Sequence, residues 1–303
     1  MGKNGLFLTL MSLAWNASGF TAQGQTDYDD EDQYYLEEDL LSGFQEEEKP
    51  QYFSYADAGS DQDMSPKLMR SKALSSRFQV GADYTYVRVK PKGSSTFHGN
   101  LGGLQGIYEF RPVDFFYGSA KLAWKEGRTN STSGERSFLY IDTQEHLGYT
   151  FGAYNEDLML TFFTGLGYRH VAQNFQPNTG SSIQFKYNEF YVPVGLLTDY
   201  AINSWFCWGL SFTWMPQIFP TVSIKPLKGN NWSLEDSLSN ITIEMPFTFV
   251  LSRNKRFSLI INPFYEHWVD GKTTAKLSNG VALGIPKNTY NYVGVDVNFG
   301  YSF

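Results

Sequence analysis

Hydrophobic and polar residues alternate strictly along the last fourteen positions of the chain, 290–303. One file is apolar and consists of Phe303, Tyr301, Phe299, Val297, Val295 and Val293. The residues between them are mostly Gly, Asn, Ser and Asp. A period of two over this length predicts a β-strand with one apolar face and one polar face. An edge strand of a soluble sheet would bury the apolar face, whereas a strand of a membrane barrel would turn it toward lipid.

The same alternation predicts nine more strands upstream, at about 77–90, 97–110, 115–126, 136–153, 158–171, 183–200, 205–222, 239–251 and 257–270. The clearest is 206–214, where aromatic residues and Leu alternate with Cys, Gly, Ser and Thr. Eight or twelve strands also fit, because the second strand is rich in Gly. Pro193, Pro246 and Pro263 fall inside predicted strands, which indicates bulges or misplaced boundaries.

Tight turns and longer connections alternate along the chain. Tight turns are predicted near residues 112, 155, 203 and 254, and polar loops near 93, 131, 177, 232 and 280. A bilayer tolerates no unpaired sheet edge, so strands that span it must close into a barrel. The predicted fold class is therefore all-β, an antiparallel transmembrane β-barrel of about ten strands.

The terminal Phe303 after an alternating strand resembles the C-terminal signature strand of bacterial outer-membrane β-barrels. The resemblance implies that this strand closes the barrel and is bound by the barrel assembly machinery. It also implies that tight turns face the periplasm, that long loops face outward, and that lipid of the outer membrane surrounds the wall. With an even number of strands, both chain ends would be periplasmic.

The first 75 residues differ from the rest in composition. Residues 1–22 combine Lys3 with a short apolar run and small residues, which predicts a secretory signal peptide. Residues 23–75 contain 14 acidic and 4 basic residues and few apolar ones, so a largely disordered periplasmic segment is predicted. This segment is a candidate for docking a basic partner or for plugging the barrel mouth. Residues 76–303 are assigned to the barrel.

Overall composition narrows the function classes. The chain is 42% apolar and 17% aromatic, yet its mean hydropathy is −0.35, as expected when apolar and polar residues alternate. The net charge of −7 argues against nucleic acid as a partner. A single cysteine, Cys207, excludes an intramolecular disulfide and a multi-cysteine metal site. No cofactor is expected.

Charged residues occupy the polar files of the predicted strands and are expected to face the lumen. The candidates are Asp83, Glu109, Lys121, Lys125, His146, Arg169, Glu189, Asp199, Glu244, Glu266 and Asp296. Two roles fit: a paired network that stiffens the barrel, or a narrow conduit for small solutes with Lys121, Lys125 and Arg169 at a constriction. Aromatic residues in the apolar files are predicted to lie at the membrane interface, namely Trp208, Trp214, Phe299, Tyr301 and Phe303.

An enzyme is the alternative function, since omptin proteases are ten-stranded outer-membrane barrels and other barrels modify lipids. Two acid–histidine pairs are candidates for a site: His267 with Asp270 at the outer rim, and Asp142 with His146 in the fourth strand. Neither lies in a recognisable catalytic motif, and no catalytic residue is assigned. The outer loops are candidates for binding surface ligands, with Phe175 and Trp232 expected to be exposed there.

Overall fold

The computed structural model describes residues 76–153, 158–227, 231–273 and 284–303. They form β1 (Ser76–Pro91), β2 (Phe97–Phe110), β3 (Phe115–Ser131), β4 (Gly134–Ala153), β5 (Leu158–Pro177), β6 (Ile183–Tyr191), β7 (Val194–Ala201), β8 (Phe206–Trp214), β9 (Gln217–Lys225), β10 (Asn231–Ser233), β11 (Ile241–Glu244), β12 (Phe247–Val250), β13 (Phe257–Asp270) and β14 (Asn288–Ser302). In this part of the chain there is no helix long and apolar enough to cross a membrane. The predicted signal peptide and acidic segment lie outside the described residues.

These segments build one closed antiparallel barrel with ten wall strands. Seven wall strands are continuous, namely β1 to β5, β13 and β14. The other three each consist of two segments in line: β6 with β7, β8 with β9, and β11 with β12. The barrel closes because β1 pairs with β2 on one side and with β14 on the other. The predicted all-β barrel of ten strands is confirmed, and the counts of eight and twelve are wrong.

Prolines interrupt three wall strands. Pro193 separates β6 from β7, Pro216 separates β8 from β9, and Pro246 separates β11 from β12. Pro263, by contrast, lies inside the continuous strand β13, so the irregularity predicted there is wrong. Its carbonyl accepts a hydrogen bond of 3.0 Å from the Met245 amide. In a strand, the carbonyl and the N–H of one residue point toward the same neighbouring strand. The N–H that Pro263 lacks would therefore point toward the gap beside Pro246, and the pairing of β13 with β14 stays intact.

Two predicted loops are instead parts of strands. β3 continues to Ser131 and β4 begins at Gly134, so the loop predicted at 127–135 is a two-residue turn. β5 likewise continues to Pro177, into the loop predicted near 177. The sequence here is polar because the outward faces of these strand ends carry polar side chains, which composition alone does not distinguish from a loop.

The connections define the two ends of the barrel. The turn end carries the short connections at 111–114, 202–205 and 251–256, together with Ser76 and Phe303. The loop end carries the connections at 92–96, 132–133, 178–182 and 234–240. The turn half and the loop half of the wall are named after these ends below.

The apolar face of the wall changes sides between the two halves. In the turn half of β1, Phe78, Val80, Tyr84 and Tyr86 point outward and are 43–56% exposed, while Gln79, Asp83 and Thr85 are buried inside. In the loop half of the same strand, Val87 and Val89 are fully buried and Arg88 and Lys90 point outward. β14 repeats this arrangement. The apolar residues of its alternating file from Val293 to Tyr301 point outward in the turn half, and Tyr290 and Tyr292 are buried inside in the loop half.

The two halves therefore enclose different interiors. The loop half holds a packed apolar core, whose members include Phe97, Leu101, Phe138, Tyr140, Val171, Tyr187, Tyr191, Trp232, Trp268, Tyr290 and Tyr292. Gly167 makes room for this packing, because a Cβ there would overlap the ring of Tyr191. The turn half is lined by charged and amide side chains.

Candidate functional site in the barrel interior

Nearest the turn end, two buried ion pairs lie inside the barrel. Arg77 donates from Nε to Oε2 of Glu109 at 2.6 Å. Arg111 pairs with Asp199, on the wall strand formed by β6 and β7, and donates to the Thr161 hydroxyl at 2.7 Å. Since Arg111 begins the turn after β2, this pair connects distant strands. The pairs narrow the lumen at this level.

The middle of the barrel contains a polar cavity. Its volume is about 140 Å³, and its lining includes Lys121, Lys125, Glu244 and Asp296. Lys121 lies 3.5 Å from Glu244, at the far side of the lumen, and Lys125 lies 2.7 Å from Asp83. The cations thus bind to carboxylates and do not point freely into the space.

Asp83 and Asp296 are two carboxylates at directly opposite positions of β1 and β14. Asp83 has Lys125 as its cation and also accepts a 2.6 Å hydrogen bond from Thr85. Asp296 forms no ion pair among the described residues; it accepts one weak hydrogen bond, from Asn262 at 3.4 Å, and its carboxyl group lies within hydrogen-bond distance of the Asp83 carboxyl group. The pair is therefore asymmetric.

Above the cavity, Arg169 is the centre of a layer that crosses the lumen. Its guanidinium donates to Glu266 at 2.8 Å and to the Tyr292 hydroxyl at 2.7 Å, and lies 3.8 Å from Glu189. The guanidinium carbon is 4.1 Å from the ring centroid of Trp268. Arg169 is 1% exposed, so this layer leaves it almost no contact with water.

Further hydrogen bonds extend the layer around Arg169 to β9 and β13. Glu189 also accepts hydrogen bonds from Trp268 at 2.9 Å and Gln217 at 3.0 Å. Trp232 is 2% exposed, so the expectation that it is an exposed contact residue is wrong. Its indole is covered because β10 folds back along β9, which puts Trp232 beside Val222.

All the predicted lumen charges point into the barrel. Asp83, Glu109, Lys125, Arg169, Glu189, Asp199, Glu266 and Asp296 are buried, and Lys121, His146 and Glu244 line the cavity. The predicted interface aromatics Trp208, Trp214, Phe299, Tyr301 and Phe303 are exposed on the outer surface. The sequence patterns did not point to Arg77, Arg111 or the inward tyrosines. Arg77 could have been predicted to point inward, because it directly precedes the outward-facing Phe78 in an alternating strand.

The candidate catalytic pairs do not meet. His267 and Asp270 lie on opposite faces of β13, with His267 bonded to Asn291 at 2.9 Å on the outside and Asp270 buried inside. His146 instead contacts Ser119, at 3.1 Å. Asp142 accepts a 2.6 Å hydrogen bond from Tyr191. Across the described ranges, no group of three or more His, Cys, Asp or Glu side chains is arranged to hold a metal ion.

Two other side chains that the sequence singled out are packed against neighbours. Phe175, expected to be exposed, packs edge-on against Phe97 with ring centroids 5.7 Å apart and is partly buried. Cys207 is buried inside the turn half next to Met159.

No protein-family model and no curated protein sequence matches the chain. Its fold is similar to that of the outer membrane protease OmpT from Escherichia coli, with a TM-score of 0.51 and 10% identity over 80% of this chain and 100% of that one. The translocator domain of the autotransporter NalP from Neisseria meningitidis gives a TM-score of 0.44 and 10% identity over 80% and 90% of the two chains. The attachment invasion locus protein Ail of Yersinia pestis gives 0.34 and 12% over 75% and 100%. At such identities the likeness concerns the fold.

Proposed function

We propose that the chain is a bacterial outer-membrane β-barrel with a closed lumen, whose loop half stands outside the membrane as a rigid platform for surface interactions. The observation that carries this proposal is the change of the apolar face along single strands. From Phe78 to Tyr86 the outward apolar file of β1 covers eight residue steps, about 26 Å along the strand. The file spans residues 78–86, which matches the length of about 9–11 residues that a tilted membrane strand needs.

The orientation of the barrel follows from the same change of face. The turn end would face the periplasm, as would the acidic segment 23–75 after removal of the predicted signal peptide 1–22. β14 pairs with β1 along the closing seam. The terminal strand is therefore the natural segment for the assembly machinery to bind. The loop half, with polar residues outside and an aromatic core inside, suits water.

The ion-paired interior favours a structural role for the lumen over solute passage. A conduit needs binding groups that a solute can reach and leave. Here Lys121, Lys125 and Arg169 are each paired with a carboxylate, and Arg169 is buried beneath Trp268. The separation of His267 from Asp270 likewise gives no support to an omptin-like site, so enzymatic turnover is not proposed.

Planar-bilayer recording tests the closed lumen. The refolded chain is expected to give no steady unitary current, and folding is checked by heat-modifiable gel migration. The double variant Arg169→Ala with Trp268→Ala removes side chains that cross the lumen and is expected to raise conductance. Arg128→Ala, which removes an exposed arginine 3.3 Å from Glu135, is the control and should leave conductance unchanged. A steady wild-type current that changes on Lys121→Glu would establish a conduit instead.

A further inference from the structure

One row of polar side chains crosses four adjacent strands on the outer surface, immediately beyond the apolar band. His267, Asn291, Arg88 and His98 occupy directly opposite positions on β13, β14, β1 and β2. Within the row, His267 contacts Asn291 at 2.9 Å. All four side chains can donate hydrogen bonds, so the row presents donors to whatever lies beside the wall.

Three lysines lie above this row on the same side of the barrel. Lys90 follows Arg88 in the outward file of β1 and is opposite Thr289 of β14. The Lys92 amide donates to the Lys287 carbonyl at 2.9 Å, which holds these two residues side by side. Arg88, Lys90, Lys92 and Lys287 are all exposed and are called the basic patch below.

The basic patch has no acidic counterpart on the surface that carries it. Within the described residues, no Asp or Glu projects outward from β13, β14, β1 or β2. Two other exposed cations of the loop half are each paired with a carboxylate: Arg128 lies 3.3 Å from Glu135 and Lys272 lies 3.1 Å from Glu235. Four cations at the loop end of β1 and β14, with no outward acid on the surrounding strands among the described residues, create a local positive potential that attracts anions.

Two tyrosines fix the height of the patch relative to the apolar band. The Tyr86 hydroxyl lies 2.9 Å from Nδ1 of His98, and the Tyr265 hydroxyl donates to Asn291 at 2.8 Å. Both rings belong to the apolar file below, while their hydroxyls reach the polar row above. Tyrosine adopts this position at the headgroup level of membranes. The basic patch therefore begins where lipid headgroups would lie.

We propose that the basic patch binds the phosphate of a phosphorylated membrane lipid. This inference rests on the proposed outer-membrane location. Arg88 and His98 would contact the phosphate from below and the lysines from above, with an acyl chain against Tyr84 and Val293. A lipid is favoured over a soluble polyanion because the patch adjoins the apolar band, where a ligand gains apolar contact only if it carries hydrocarbon.

Native mass spectrometry of the refolded full chain tests the proposal. The chain is titrated with phosphatidic acid, a phosphomonoester lipid, and with phosphatidylcholine for comparison. Tighter retention of phosphatidic acid is expected. In Arg88→Ala with Lys90→Ala, its apparent Kd should rise about fivefold for each cation removed. The matched control is Lys186→Ala with Lys225→Ala, which removes two loop-half cations from β6 and β9 and should leave the Kd unchanged.

Three outcomes would overturn the proposal. Equal retention of the two lipids would remove any preference for the phosphomonoester, and an equal loss in the control pair would reduce it to net charge. Binding of dextran sulfate that is as tight as that of phosphatidic acid, and sensitive to the same variant, would make the ligand a soluble polyanion. Insertion into phosphatidylcholine vesicles is measured separately by gel migration. A chain that folds only in water fails the proposed function, whereas an inserted barrel without lipid preference fails this inference alone.

Discussion

In the turn half of the barrel wall the apolar side chains point outward, whereas in the loop half of the same wall they point inward. In β1, Val80 is 54% exposed on the outside, whereas Val87, seven residues later, is fully buried inside. Both halves have the same strand geometry and the same neighbours β2 and β14. What differs is the medium that each outer surface suits. The face of the strand that carries the apolar side chains therefore indicates which medium each part of a single strand suits.

Polar groups differ between the halves in the same way. In the turn half they face inward and must be paired, as in Lys125 with Asp83. In the loop half they face outward, where water can satisfy them, and the inward positions are free for aromatic packing. Arg169 lies where the two interiors meet, with carboxylates and the rings of Trp268 and Tyr292 around it.

Removing the cation at this meeting point should have the greatest effect on stability. Arg169→Ala leaves Glu266 and Glu189 buried without their cation, so the free energy of unfolding should fall by about 3–5 kcal/mol. Arg128→Ala removes an arginine whose side chain is 75% exposed, and the loss should be below about 1 kcal/mol. Urea unfolding in lipid vesicles, followed by tryptophan fluorescence, measures both. Equal losses would show that the interior layer is not a centre of stability.

A charge placed on the outer surface should change stability differently in the two halves, because the outer surfaces of the two halves suit different media. Ala82→Arg puts a cation in the middle of the outward apolar file of β1 and should cost about 2–4 kcal/mol in vesicles. Asn174→Arg makes the same change on an exposed outward position of the loop half and should stay within about 0.5 kcal/mol. The same unfolding assay decides between them. If Ala82→Arg is no more costly than its control, the turn half does not contact lipid.

Alternation predicted the wall well, because period two is a local property of the sequence. The inward position of Asp83 or Glu266 follows from the parity of the neighbouring apolar residues alone. The end of β3 was missed for a physical reason: with polar residues outside and Gly127 and Thr129 inside, this part of the strand has no apolar alternation. Trp232 was misplaced because its burial depends on β10 pairing with β9, which no local pattern shows.

Which of the inward charges pair with each other could not be predicted from the sequence either. The register that brings Asp83 opposite Asp296 joins residues more than 200 positions apart. Lys125 approaches Asp83 across β2, since Gly103 lies opposite both residues. The parity of inward charges gives the set of groups but not the pairs. The asymmetry between the two aspartates is thus a property of the closed barrel.

Substituting each aspartate in turn tests that asymmetry, because the two changes in the free energy of unfolding are expected to be small and of opposite sign. Asp83→Asn removes the carboxylate that lies 2.7 Å from Lys125 and should lower the free energy of unfolding by about 1–3 kcal/mol, because the buried ammonium loses its counter-charge. Asp296→Asn removes the carboxyl group that has no ion pair among the described residues and accepts a 3.4 Å hydrogen bond from Asn262. The new amide can donate to Asp83, and the repulsion between two carboxylates ends, so stability should rise by up to about 1 kcal/mol.

Both aspartate variants keep side-chain volume, so the sign of each change in the urea midpoint reports charge and not packing. Destabilisation by both to the same extent would mean that Lys125 binds the two carboxylates equally. A stabilising Asp296→Asn beside a destabilising Asp83→Asn would instead show that one carboxylate at the closing seam holds the cation while its neighbour adds repulsion. The turn half would then retain an interior charge that costs stability, unlike the loop half, where burial is mostly apolar.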